Sequence, residues 1–108
     1  TYATADGRHL TVGALEPKFF RRLCELLGLP ELAGRQYDAE QEELAAELAG
    51  VLAAKPLAHW LALCDDEDVC VGPVATLAEA AVDLGTPPPG RAPAAGAHTE
   101  RWRAELGL

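Results

Sequence analysis

The stretch Tyr2-Ala3-Thr4-Ala5-Asp6-Gly7-Arg8-His9-Leu10-Thr11-Val12-Gly13-Ala14-Leu15-Glu16-Pro17 decides how the chain begins to fold. Residues 2–4 and 9–12 alternate apolar and polar side chains, the pattern of strands half-buried on one face. Between them stands Asp6-Gly7, a strong hairpin signal because both residues tolerate a positive φ. A hairpin with Tyr2, Thr4, Leu10 and Val12 on one face is expected. Gly13-Ala14-Leu15 then leaves the second strand. Pro17 suits the first turn of a helix, where its missing N–H is no loss.

Downstream the apolar period changes from two to about 3.6. Phe19, Phe20, Leu23, Leu26 and Leu27 share a helix face over 17–27, and Gly28 stops it. Leu29-Pro30-Glu31-Leu32 reads as a short turn. Asp38 with Gln41 resembles a capping box for a second helix. That helix buries Leu44, Leu48, Val51 and Leu52 and wets Glu40, Glu42, Glu43 and Glu47. A third helix starts at Pro56, with Leu57, Trp60, Leu61 and Cys64 on one face. Val69 to Val74 is a short strand, and Thr76 with Glu79 caps a helix to about Val82. Residues 84–97 are mostly Pro, Gly and Ala and read as a stiff linker. A last short helix over 98–108 carries Trp102 and Leu106. The expectation is an α+β fold, a small helical domain with an N-terminal β-hairpin and one further short strand. Its organisation is 1–83 as the domain, 84–97 as linker and 98–108 as C-terminal helix.

Composition narrows the chemistry. The 108 residues suffice for one modest core. They include 21 Ala and 17 Leu but no Ile, Met, Ser or Asn, a bias expected of a GC-rich bacterial genome. Without Ser there is no serine nucleophile. A net charge of −8 with scattered Lys and Arg argues against nucleic acid and anionic membranes. No apolar run approaches the ~20 residues of a membrane span. Cys24, Cys64 and Cys70 form neither a CxxC pair nor an even set, which fits buried thiols in a reducing cytoplasm. His9, His59 and His98 lack metal-ligand spacing. Asp65-Asp66-Glu67-Asp68 lacks the alternation and central Gly of a calcium loop, so no metal is expected. No phosphate-binding glycine motif is present. The chain has no initiator Met and opens inside a strand, as expected of a piece of a longer protein.

Glu16 stands out. It falls at the N-cap of the first helix, where Ser, Thr, Asp or Asn is preferred. One reading is a carboxylate stabilised by the helix dipole, worth about 0.3–1 kcal/mol. The other is an acid aimed into a cleft by a rigid strand–helix junction. Spacing alone leaves both open, and a lone Glu names no reaction.

Four segments, in order, bear on that choice. They are Tyr2 to Arg8 with Val12-Gly13-Ala14-Leu15-Glu16-Pro17-Lys18-Phe19-Phe20, then Trp60, then Asp68-Val69-Cys70-Val71-Gly72-Pro73-Val74 with Thr76-Leu77-Ala78-Glu79-Ala80, and Gly96-Ala97-His98-Thr99-Glu100. Together they resemble the small domain of the α-methylacyl-CoA racemases, within the class III CoA-transferase (CaiB/BaiF) family. Gly-Ala-Leu-Glu-Pro is the most diagnostic run, because transferase members carry other residues there and lack the Glu.

The resemblance implies an isomerase that inverts the α-carbon of a 2-methylacyl-CoA thioester. The thioester makes the α-proton removable once the enolate oxygen is stabilised. One group takes the proton on one face and another returns it on the opposite face. The resemblance makes Glu16 a catalytic residue, with Gly13, Ala14 and Leu15 as candidate substrate contacts. It implies a His and an Asp from a large CoA-binding domain, a homodimer, an acyl-CoA thioester as substrate, and no cofactor or metal. This chain alone is expected to be inactive. It also departs from the family, since residues 83–97 are shorter and Thr86 to Arg91 bridges the gap. Two rival functions follow: a CoA-transferase of the same family, and a non-catalytic interaction module.

Overall fold

The computed structural model describes residues 1–85, 90 and 92–108. The order of elements is β1 (Tyr2–Ala3), β2 (His9–Val12), α1 (Pro17–Leu26), a 3-10 helix (Pro30–Arg35), α2 (Gln41–Leu52), α3 (Leu57–Cys64), β3 (Val71–Pro73), α4 (Leu77–Leu84) and α5 (Thr99–Leu106). The fold is α+β, as the sequence implies. The chain divides into two compact units, Thr1–Ala75 and Thr76–Leu108.

In the first unit a three-stranded antiparallel sheet runs β1-β2-β3. Tyr2 pairs with Leu10, and Leu10 and Val12 pair with Pro73 and Val71. Tyr2, Thr4, Leu10 and Val12 do share the covered face. The turn differs in type from the expectation. Only Gly7 takes a positive φ, at 72°. Gly7 N–H donates to Thr4 O at 3.0 Å and Thr4 N–H to Arg8 O at 2.9 Å. This is a three-residue loop closed by a left-handed glycine, the next most common hairpin solution.

That geometry frees Asp6 for another task. Its carboxylate accepts from the Thr4 hydroxyl at 2.6 Å and from Leu57 N–H at 3.2 and 3.3 Å. A side chain in the hairpin loop thereby satisfies an open amide in the first turn of α3. Ala5 N–H adds a bond to Lys55 O at 3.0 Å. Thr4 and Leu57 together hold the Asp6 carboxyl below its ordinary pKa.

Helix α1 closes in a Schellman motif: Gly28 N–H reaches Glu25 O, Leu29 N–H reaches Cys24 O, and Gly28 has φ 75°. Its inner face, Phe20, Leu23 and Cys24, meets Ala14, Leu32, Leu44, Leu48 and Val69 in one core cluster. A second cluster holds Leu10, Leu52, Leu57 and Trp60. The Trp60 indole donates to Leu52 O at 2.9 Å and Lys55 O at 3.2 Å. Val51 is half-buried beside this cluster. Burial pushes the Cys24 and Cys64 thiols up, Cys24 being wholly buried. The Cys70 side chain is exposed.

Three local expectations change. The turn at 29–32 is a 3-10 helix over Pro30–Arg35. Asp38 and Gln41 make no capping box: Glu40 is the N-cap of α2, and Gln41 Nε2 donates to the Gln36 and Asp38 carbonyls. Asp38 instead pairs with Arg35, which also meets Glu43 and Glu47. The strand at 69–74 shrinks to Val71–Pro73, because Cys70 bends the chain with φ 52°. In the acidic turn, Arg22 takes Glu67 in a two-pronged pair at 2.9 and 2.6 Å.

In the second unit α4 opens on the expected capping box and runs on to Leu84. Neither α4 nor α5 buries a residue. Thr86 to Pro89 and Arg91, the heart of the expected linker and bridge, lie outside the described residues. Among the described residues no helix is long and apolar enough to cross a membrane.

Candidate active site

The corner between β2 and α1 is built by short-range constraints. Gly13 N–H donates to Cys70 O at 2.8 Å, and a Cβ on Gly13 would come within 3.4 Å of that oxygen. Glycine thus lets β2 continue close beside the Cys70 backbone. Leu15 N–H bonds Gly13 O at 2.8 Å, tightening the chain around Ala14. Ala14 points into the core, whereas Leu15 is 78% exposed.

Glu16 follows as the N-cap of α1, with φ −78° and ψ 142°. Extended geometry is what a residue before proline prefers. Its carbonyl accepts from Phe19 and Phe20 N–H, starting the helix. Its carboxylate is exposed. It makes no capping hydrogen bond, and its place at the helix N-terminus still favours an acid through the dipole. The side chain stays available to a group outside this chain, on a rigid base.

Other parts of the molecule border this corner. A concavity of about 290 Å³ is lined by Tyr2, Leu15, Phe20, Tyr37, Leu44 and Leu48, among others. Leu15 is on its wall, and Glu16 is next in sequence but outside the lining. The Leu15 carbonyl accepts from Gln36 Nε2 at 2.7 Å and from the Tyr37 hydroxyl at 3.3 Å. Sequence reading missed both residues, since neither lies in a periodic stretch. Lys18 sits over the Phe19 ring at 4.2 Å. A larger concavity, about 520 Å³, lies within the second unit around Trp102 and Leu106, and no acid lines it.

The structure therefore groups Gly13, Leu15 and Glu16 on an exposed corner, with Ala14 turned into the core and Gln36 and Tyr37 bonded to the Leu15 carbonyl. It presents the Glu16 carboxylate near a small hollow of mixed polar and apolar lining. Among the described residues no cluster of three or more His, Cys, Asp or Glu could hold a metal ion. A carboxylate so placed can take or give a proton, and a two-sided proton transfer needs a second group from elsewhere.

Comparison with known proteins gives this geometry a context. A family model described as CoA-transferase family III matches residues 1–86. The mouse (Mus musculus) protein named alpha-methylacyl-CoA racemase is 43% identical over 82 residues, covering 74% of this chain and 22% of that protein. The acetyl-CoA:oxalate CoA-transferase of Acetobacter aceti is 39% identical over 69 residues, covering 57% of this chain and 18% of its own. A crystal structure of a hypothetical protein from Mycobacterium tuberculosis superposes with a TM-score of 0.64 at 29% identity, covering 80% of this chain and 25% of that one. The chain thus spans about a fifth of the length of the curated relatives it matches.

Proposed function

Because this chain belongs to CoA-transferase family III, we propose that it contributes Glu16 to an acyl-CoA racemase acting on 2-methylacyl-CoA thioesters. The observation that carries this reading is the Glu16 carboxylate, exposed at a strand–helix corner and making no capping hydrogen bond. Similarity to the mouse racemase supports the choice of chemistry.

In this proposal Glu16 works on one face of the α-carbon. The thioester lowers the cost of removing the α-proton, and hydrogen-bond donors at the enolate oxygen lower it further. Proton removal on one face and return on the other invert the centre without net change of composition. The His, the Asp and the CoA-binding surface belong to a large domain, and the acyl group lies between that domain and this one in a homodimer. Gly13, Ala14 and Leu15 form the wall on this side, with Leu15 offering exposed apolar surface. The CoA of the substrate is the only cofactor the scheme calls for.

The test is exchange of the α-proton of a 2-methylacyl-CoA with deuterated solvent, on the protein as its gene encodes it. Glu16→Gln is expected to slow exchange by ~10²-fold or more, the scale of one acid–base group. Exchange at the wild-type rate in that variant would remove Glu16 from the mechanism. A second reading, a CoA-transferase, draws on the Acetobacter aceti relative. Transfer of CoA to a free carboxylic acid with no α-proton exchange would select it. Binding of a partner chain with neither reaction would mark an interaction module.

A further inference from the structure

Glu16 makes no capping hydrogen bond, so among the described residues the constraint on it is backbone: the peptide planes on either side set the direction of its Cα–Cβ bond. On the C-terminal side Pro17 and the helix fix the backbone. On the N-terminal side the plane is the Leu15–Glu16 peptide, whose oxygen accepts from Gln36 Nε2 at 2.7 Å. The same amide lies 3.4 Å from Ala14 O, straddling two successive carbonyls of the corner. Tyr37 adds a longer, more exposed bond to Leu15 O.

The donor itself is held in place. Gln36 is the C-cap of the 3-10 helix, whose Leu32 is sunk in the core. Its own carbonyl accepts from Gln41 Nε2 at 3.1 Å, tying it to the start of α2. Arg35, one residue earlier, is braced by Asp38 and Glu47. An amide anchored this way, gripping an otherwise exposed corner, does little for the core. Its geometric effect falls on the next residue, Glu16.

We infer that Gln36 is a positioning residue that fixes where the Glu16 side chain leaves the backbone, by clamping the Leu15 carbonyl. The inference rests on the reading of Glu16 as an acid–base group. Proton transfer depends steeply on placement, and about 1 Å of displacement can cost ~10²-fold in rate. A clamp acting on the backbone one residue away moves the carboxylate by less than that, so a smaller loss is expected.

The experiment compares wild type, Gln36→Ala, the isosteric Gln36→Glu, Glu16→Gln and the Gln36→Ala/Glu16→Gln double variant, on the protein as its gene encodes it. The expected result is kcat for α-proton exchange down ~10-fold in both single Gln36 variants, with KM within about 2-fold. In the Glu16→Gln background, Gln36→Ala should change nothing further. Wild-type kcat in the Gln36 variants overturns the inference, and so does a loss repeated in full in the double variant. If Glu16→Gln exchanges at the wild-type rate while Gln36→Ala is slow, the failure lies with Glu16 and the clamp is refuted as a device for it. A reading independent of turnover is the Glu16 backbone amide resonance, on the peptide that Gln36 clamps, which should shift in Gln36→Ala. An unchanged line there means that Gln36 does not hold the corner.

Discussion

The units 1–75 and 76–108 are built from similar local signals and reach different ends. Both have helices with legible starts: Pro17 opens α1, and Thr76 with Glu79 caps α4. In the first unit the apolar stripes of α1, α2 and α3 close on one another and on the sheet in two core clusters. In the second, Leu77, Val82 and Leu84 on α4 and Trp102 and Leu106 on α5 stay exposed. A capping box and an apolar stripe are enough to specify a helix. A core needs several stripes whose chain order lets them converge.

Mutation can break that contrast. Leu23, 1% exposed in the larger cluster, should cost about 2–5 kcal/mol when replaced by Ala, the range for a buried leucine. Leu77→Ala, at a site 91% exposed, should stay within about 0.5 kcal/mol. Urea unfolding of the two variants checks both, and equal losses would erase the difference between the units. A smaller effect is expected at Trp60. Phenylalanine keeps most of the ring but strips the donor from Leu52 O and Lys55 O, at about 1–3 kcal/mol. Unchanged stability in Trp60→Phe would show that water replaces the indole there.

Thr76→Ala sharpens the comparison from the other side. It should weaken α4 by about 1 kcal/mol through loss of the cap. Amide chemical shifts would show the effect confined to 76–84, with the first unit's core unmoved. Least in size is a pH effect at Asp6. Its pKa is lowered in the folded chain, chiefly by the Thr4 hydroxyl. The stability it adds is therefore present above the ordinary carboxylate range and disappears as pH falls through the lowered value. Asp6→Asn should flatten that part of the acid limb, and an unaltered limb in pH-dependent unfolding would show the carboxylate idle.

The sequence made the skeleton readable because its signals are local and periodic. Pro17, Gly28, the Leu44–Leu48–Leu52 spacing and the Thr76–Glu79 pair each act within a turn or two of helix. What escaped it depends on residues far apart. Asp6 looked like a turn former and also serves α3, 51 residues on. Asp38 and Gln41 had the spacing of a capping box, but Arg35 draws the acid and nearby carbonyls draw the amide. Cys70 takes a left-handed φ that a strand pattern cannot forecast. At the candidate site, Glu16 was conspicuous as an unusual N-cap. Gln36 and Tyr37 were not, because an aperiodic segment gives no sign of which carbonyl it will meet.

The span from Asp6 to Leu57 also has a consequence for synthesis. A ribosome adds about 5–20 residues per second, so Leu57 trails Asp6 by roughly 3–10 s. Until then the hairpin is a two-stranded ribbon, marginal in water by itself, with neither β3 beside it nor α3 against its loop. Its outer edge stays open to foreign strands throughout that interval. The hairpin is thus made before the residues that secure it, and slowing translation before Leu57 would lengthen its exposure to misassembly.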